Sequence, residues 1–114
     1  MLAIISPSKT QDFSECNIEN FSQTRQQQSS DELVHILKNK SQTQISKLMS
    51  ISEKLSALNF ERFQKFKLPF TLENAKQAIL AFKGDVYNGI DAPSLSTEDL
   101  NFAQDKIRML SGLY

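Results

Sequence analysis

Leu2-Ala3-Ile4-Ile5, stopped by Ser6-Pro7, is the stretch that decides the fold class. A fully apolar run of four residues closed by a proline reads as a strand buried on both faces, as in sheets covered by helices on either side. Ala78-Ile79-Leu80-Ala81-Phe82, stopped by Lys83-Gly84-Asp85, is a second run of this kind. Alanine and leucine favour helix there, while the apolar run and its glycine stop favour strand, and we read it as a strand. The class that follows is mixed α/β (α+β), with short buried strands at 2–5 and 78–82 and about five helices between and after them.

Outward from these runs the chain alternates polar loops and capped helices. Residues 14–30, including Gln26-Gln27-Gln28-Ser29-Ser30, are polar and aperiodic and read as a surface loop tethered by Phe13 and Phe21. Ser30 then stands before Asp31-Glu32 as an N-cap, with Leu33, Val34 and Leu37 as the apolar face of a helix. Ser41 opens a second helix carrying Ile45, Leu48 and Met49. Ser52 opens a third, with Leu55, Leu58, Phe63 and Phe66 as its stripe and Pro69 as its stop. Thr71 is placed to cap a short helix through Glu73 and Lys76, and a turn is expected around Asn88-Gly89 and Pro93. The last helix is capped by Ser96, with Glu98-Asp99 in its first turn, a stripe of Leu100, Ala103, Ile107 and Leu110, and Lys106 and Arg108 near its C-terminus. Apolar and aromatic residues from Met109 to Tyr114 suggest a strand or turn just beginning, so the fold is expected to be incomplete.

At 114 residues the chain has room for one unit, taken as 1–114. Its 39% hydrophobic content is low, mainly because of the polar stretch 14–30. A single cysteine, Cys16, excludes an internal disulfide and fits a reducing compartment. Without a basic leader before the first apolar run, and without the roughly 20 apolar residues of a membrane helix, a soluble cytoplasmic protein with no membrane partner is expected. Formal net charge is zero, yet residues 38–67 hold seven basic side chains against two acidic ones, a local +5, leaving −5 on the remainder.

Three groups of residues are candidates for chemistry. The 6–10 loop, Ser6-Pro7-Ser8-Lys9-Thr10, follows a strand as phosphate loops do, but it has no glycine for close backbone approach, and from the residues alone we read it as a rigid turn with a solvated lysine. The 83–89 stretch, Lys83-Gly84-Asp85-Val86-Tyr87-Asn88-Gly89, has two glycines and three polar side chains after an apolar run, and reads either as a ligand loop or as paired turns over Tyr87. If the two loops converge, Ser6, Lys9, Thr10, Lys83, Asp85 and Tyr87 form a candidate cleft for a phosphate- or nucleotide-like ligand, the enzyme alternative. Residues 42–66 resemble a helix-hairpin-helix, in which α-helical amides and nearby lysines meet a DNA phosphate without reading sequence; its candidates are Lys47, Ser50, Ser52 and Lys54. Serines stand at Ser50 and Ser52 where that motif has glycines. The competing reading is two capped helices with lysines in solvent. His35, the one histidine, has no ligand partners at metal spacing, no nucleophile–base set can be assembled from local spacing, and no cofactor motif is present, so neither a metal nor a cofactor is expected and the balance leans away from an enzyme.

Leu2 to Thr10, Ala78 to Gly89 and Arg108-Met109-Leu110-Ser111-Gly112-Leu113-Tyr114, with Leu48-Met49-x-Ile51-Ser52-x-Lys54-Leu55 between them, resemble the YaaA peroxide-stress family in order and spacing along the whole chain. Members of that family are more than twice as long, so the resemblance implies that this chain is its N-terminal part, lacking the C-terminal half of the fold. It further implies a mixed α/β fold of unusual topology, a positively charged cleft in which Lys9 and Lys83 could converge, DNA binding through a helix-hairpin-helix, and a role in limiting free intracellular iron under peroxide.

Overall fold

Serine at a helix start is where this sequence speaks most directly, because its hydroxyl replaces a missing backbone partner of the first-turn amides. The computed structural model describes residues 1–114. In it Ser41, Ser52 and Ser96 all have extended backbone and accept from the amides of Gln44, Leu55 and Asp99 at 3.2, 3.4 and 3.1 Å. At Ser41 and Ser96 the bond is returned, with Gln44 Oε1 and Asp99 Oδ2 accepting from the cap amides. Three helices begin there: α2 (Gln42–Met49), α3 (Glu53–Lys65) and α6 (Thr97–Lys106). They join α1 (Gln27–Lys38), α4 (Ala78–Ala81), α5 (Asp85–Ile90), a 3-10 turn at Ala92–Ser94 and two strands, β1 (Ala3–Ile5) and β2 (Ile107–Met109), in a mixed α/β fold. No helix is long and apolar enough to cross a membrane.

The chain divides into two compact units. One comprises Met1–Gln23 and Phe70–Gly112, the other Thr24–Pro69 and Leu113–Tyr114. The second unit is three helices, with α3 against both α1 and α2. Val34 and Ile45 are fully buried between them, beside the hydroxyls of Ser30 and Ser56. Ser56 is satisfied by the carbonyl of Glu53 at 2.9 Å, and Ser30 by those of Gln26 and Leu113. The first unit holds a two-stranded parallel sheet in the register Ala3↔Ile107, Ile4↔Arg108, Ile5↔Met109, and a small core of Leu80, Ala81, Tyr87 and Ala92.

Several expectations are corrected. The run at 78–82 is a helical turn, not a buried strand: the amides of Leu80 and Ala81 donate to Gln77 and that of Phe82 to Ala78. Helix propensity of Ala78, Leu80 and Ala81 prevails because no strand lies beside them, and only Phe82 forms an antiparallel bridge, to Gln11. The second strand lies instead at 107–109, where the last helix was expected to continue through Ile107 and Leu110. Ile107 turns extended (φ −116°, ψ 138°) because β1 offers it a ladder partner that a further helical turn would not use. The strand at 2–5 begins at Ala3 and is not buried on both faces, since Leu2 and Ile4 are 52% and 61% exposed. Ser30 is no cap: α1 starts at Gln27, so the irregular segment ends before residue 30, and Phe13 and Phe21 lie exposed along it. Thr71 closes a turn rather than a helix, and α5 replaces the turn expected at Asn88-Gly89.

Candidate functional site

The α2–α3 hairpin turns on Ser50. Its backbone is left-handed (φ 53°, ψ 47°), and its amide and that of Ile51 both donate to the carbonyl of Ser46. This closes the end of α2 as a glycine usually would. Ser46 Oγ then donates to the Ile51 carbonyl at 2.8 Å, fixing the exit, and Ser52 leaves in extended backbone and caps α3. Only the first of the two serine positions therefore needs a positive φ. Buried Ile45 and Ser56 hold the helices together. Leu48 and Met49, by contrast, are 65% and 42% exposed.

Around this turn, Lys47 occupies the last turn of α2 and Lys54 the first turn of α3. Both are exposed and neither forms an ion pair. Most other basic residues of this stretch are committed elsewhere, Lys40 excepted: Lys38 Nζ donates to the Phe66 carbonyl at 2.9 Å, Lys65 pairs with Glu61, and Arg62 and Lys67 are also engaged. The hairpin thus offers first-turn amides of α3 beside two uncommitted ammonium groups. Glu53, also in that first turn, sets a carboxylate against the same position.

In the other unit the two candidate loops do meet. Tyr87 Oη donates to the Ser6 carbonyl at 2.6 Å, and the Lys83 amide donates to the Thr10 carbonyl at 3.0 Å. Gly84, between them, has φ 122°, a region open in practice only to glycine, and lies near Ser8. Tyr87 packs on Phe82 with ring centroids 5.3 Å apart, and burial pushes its phenol above its ordinary value. Ser6, Thr10, Lys83 and Tyr87 are thereby brought together, whereas Lys9 and Asp85 stand exposed at the same loops. The pocket beside them, about 80 Å³, is lined by Lys83, Tyr87, Asn88 and Asp91 with apolar neighbours and not by the 6–10 loop.

Asp12 and Lys76 escaped the sequence reading. Asp12 accepts from the Ser14 amide at 2.8 Å and faces Lys83 Nζ at 3.6 Å. Hydrogen bonds from Ser14, then the charges of Lys76 and Lys83, hold its carboxyl down at about 2. Lys76 Nζ donates to the carbonyls of Asp12 and Ser14, and Gln77 Nε2 to those of Ile18 and Asn20, so the 12–20 segment is pinned from across the sequence. No local spacing could announce partners that lie about sixty residues apart. His35 and Cys16 are exposed, and no three of the histidine, cysteine and acidic side chains come together in a way that could hold a metal ion.

The family model described as peroxide stress protein YaaA matches residues 1–114. A UPF0246 protein of Cellvibrio japonicus is 50% identical over 115 aligned residues, and one of Acaryochloris marina 51% identical over 114. Each alignment covers 100% of this chain and 45% of the relative, so the chain spans a little under half the length of these proteins. With the match running from the first residue to the last, this chain belongs to the YaaA peroxide-stress family.

Proposed function

We propose that the chain serves peroxide-stress protection in the cytoplasm by contacting duplex DNA through the α2–α3 hairpin, without sequence preference, within a protein that keeps free iron low. The observation that carries this is the turn at Ser50: a left-handed residue between two serine-capped helices, with exposed Lys47 and Lys54 on its two sides and no ion pair on either. A phosphate oxygen at the α3 amides would gain helix-terminus hydrogen bonds and two nearby positive charges. The remaining length of the relatives is read as completing the same fold around this part, and iron control belongs to that whole.

The test is fluorescence anisotropy of labelled duplex DNA titrated with the chain at low and moderate salt. Affinity is expected to fall with salt, and Lys47→Ala/Lys54→Ala is expected to weaken binding and flatten the salt dependence by about two phosphate contacts. Glu53→Gln is expected to tighten it. No binding by a folded chain would sink the DNA reading for this hairpin.

A second reading has one observation behind it, the joining of the 6–10 and 83–89 loops through Ser6, Thr10, Lys83 and Tyr87. A phosphate- or nucleotide-like ligand at Lys9 and Lys83 would raise the melting temperature in titrations with inorganic phosphate or ATP, and Lys83→Ala would remove the rise. A pocket of about 80 Å³ holds far less than a nucleotide, so DNA remains the preferred reading.

A further inference from the structure

The small parallel sheet has one face that this chain leaves open. Side chains alternate along a strand, so Leu2 and Ile4 share a face. The register Ile4↔Arg108 brings Arg108 to that face, and with it Leu110, whose amide extends the ladder by donating to the Ile5 carbonyl at 3.2 Å. Leu2, Ile4 and Leu110 are 52%, 61% and 62% exposed. Arg108 in their midst spends Nη1 on the carbonyls of Gln104 and Ile107, while its Nε is buried without an acceptor.

This combination is physically unfinished. Parallel sheets occur almost only with both faces covered, and a two-stranded sheet of three-residue strands lacks the area to stand alone. A buried guanidinium N–H without a partner costs about 1–3 kcal/mol, which Arg108 would recover by swinging out from the Gln104 and Ile107 carbonyls to a carbonyl or carboxylate laid over the face. The relatives supply a source for such a group, because more than half of their length lies outside the part this chain spans.

We propose that the Leu2, Ile4 and Leu110 face seats a polypeptide segment from that remaining part, apolar where it meets the leucines and isoleucine and carrying an acceptor for Arg108 Nε. The proposal rests on the reading that the remaining length completes this fold, and it names the surface on which completion occurs.

Cysteine accessibility tests it. In a Cys16→Ser background, Ile4→Cys or Leu110→Cys is placed in this chain and in a chimera that continues it with the remaining part of the Cellvibrio japonicus relative. Maleimide labelling rates are normalised to the same site in denaturant. Both cysteines are expected to label freely in the chain and about tenfold or more slowly in the chimera. Protection below about twofold in a chimera that melts higher than the chain would overturn the surface while keeping the completion reading. Unchanged labelling and unchanged melting would overturn both. Protection in the chain alone that vanishes on dilution would assign the face to a second copy and overturn the proposal. Arg108→Leu supplies a second readout: it is expected to lower the melting temperature of the chimera more than that of the chain, and an equal effect counts against the acceptor.

Discussion

Ser50 and Asp12 show how single residues carry costs and gains invisible in their neighbours. Ser50 holds a left-handed backbone that disfavours any Cβ, so Ser50→Gly is expected to stabilise the chain by about 0.5–1 kcal/mol, net of the extra freedom glycine gives the unfolded state. Urea unfolding checks this, and a loss of stability would mean that the serine hydroxyl has a role the turn geometry does not show. Asp12 has a folded value of about 2 against an ordinary 3.8, so the folded chain takes up its proton less readily than the unfolded chain. Its contribution is present in full above the unfolded value and is lost as pH falls through the folded one. The urea midpoint is therefore expected to drop as pH is lowered from about 4 to about 2, and Asp12→Asn should flatten that window. An equal slope in the variant would assign the acid lability to other carboxylates.

Three of the longer helices and the first strand of this chain were readable from their own residues, while α4, α5, the start of α1 and the second strand were not. Ser41, Ser52 and Ser96 were identified as caps because capping chemistry acts within three residues, and each bond is present. In α2, only eight residues long, the reciprocal Ser41–Gln44 bonds are a large share of what fixes the first turn. Ser41→Ala is expected to cost about 1 kcal/mol in urea unfolding and to lower helical circular dichroism slightly; a neutral result would show that packing of Ile45 alone sets the helix start. The strand read at 78–82 and the one missed at 107–109 were misjudged for a common reason, whereas the strand read at 2–5 is present as β1. Apolar runs at 78–82 and 107–110 do not reveal which of them will have a neighbour, and the ladder between β1 and β2 joins residues about a hundred positions apart. Ile107 to Met109 found a partner and became a strand, while Ala78 to Ala81 did not and coiled.

At the scale of the molecule, many large apolar side chains stand exposed. Leu33, Ile36, Leu48, Leu55, Leu58 and Phe102 are all more than 40% exposed, while the fully buried apolar side chains are few and small in total volume. Anilinonaphthalene sulfonate is expected to brighten with the folded chain, and to brighten less per residue with the full-length Cellvibrio japonicus relative; equal brightening would mean that the relative leaves the same residues open. Much of the candidate site was legible too, because Lys47, Ser50, Ser52 and Lys54 lie within one local hairpin, and Tyr87 and Ser6 follow apolar runs. The Asp12, Lys76 and Gln77 clamp was not, since its partners meet only after the chain has folded back. The sequence by itself determined family, class, the helix starts at Ser41, Ser52 and Ser96 and the charge asymmetry, because caps, composition and motif residues act locally. Tertiary structure decided which apolar run became a strand, which loops joined and which face stayed bare, because backbone pairing and burial depend on neighbours distant along the chain.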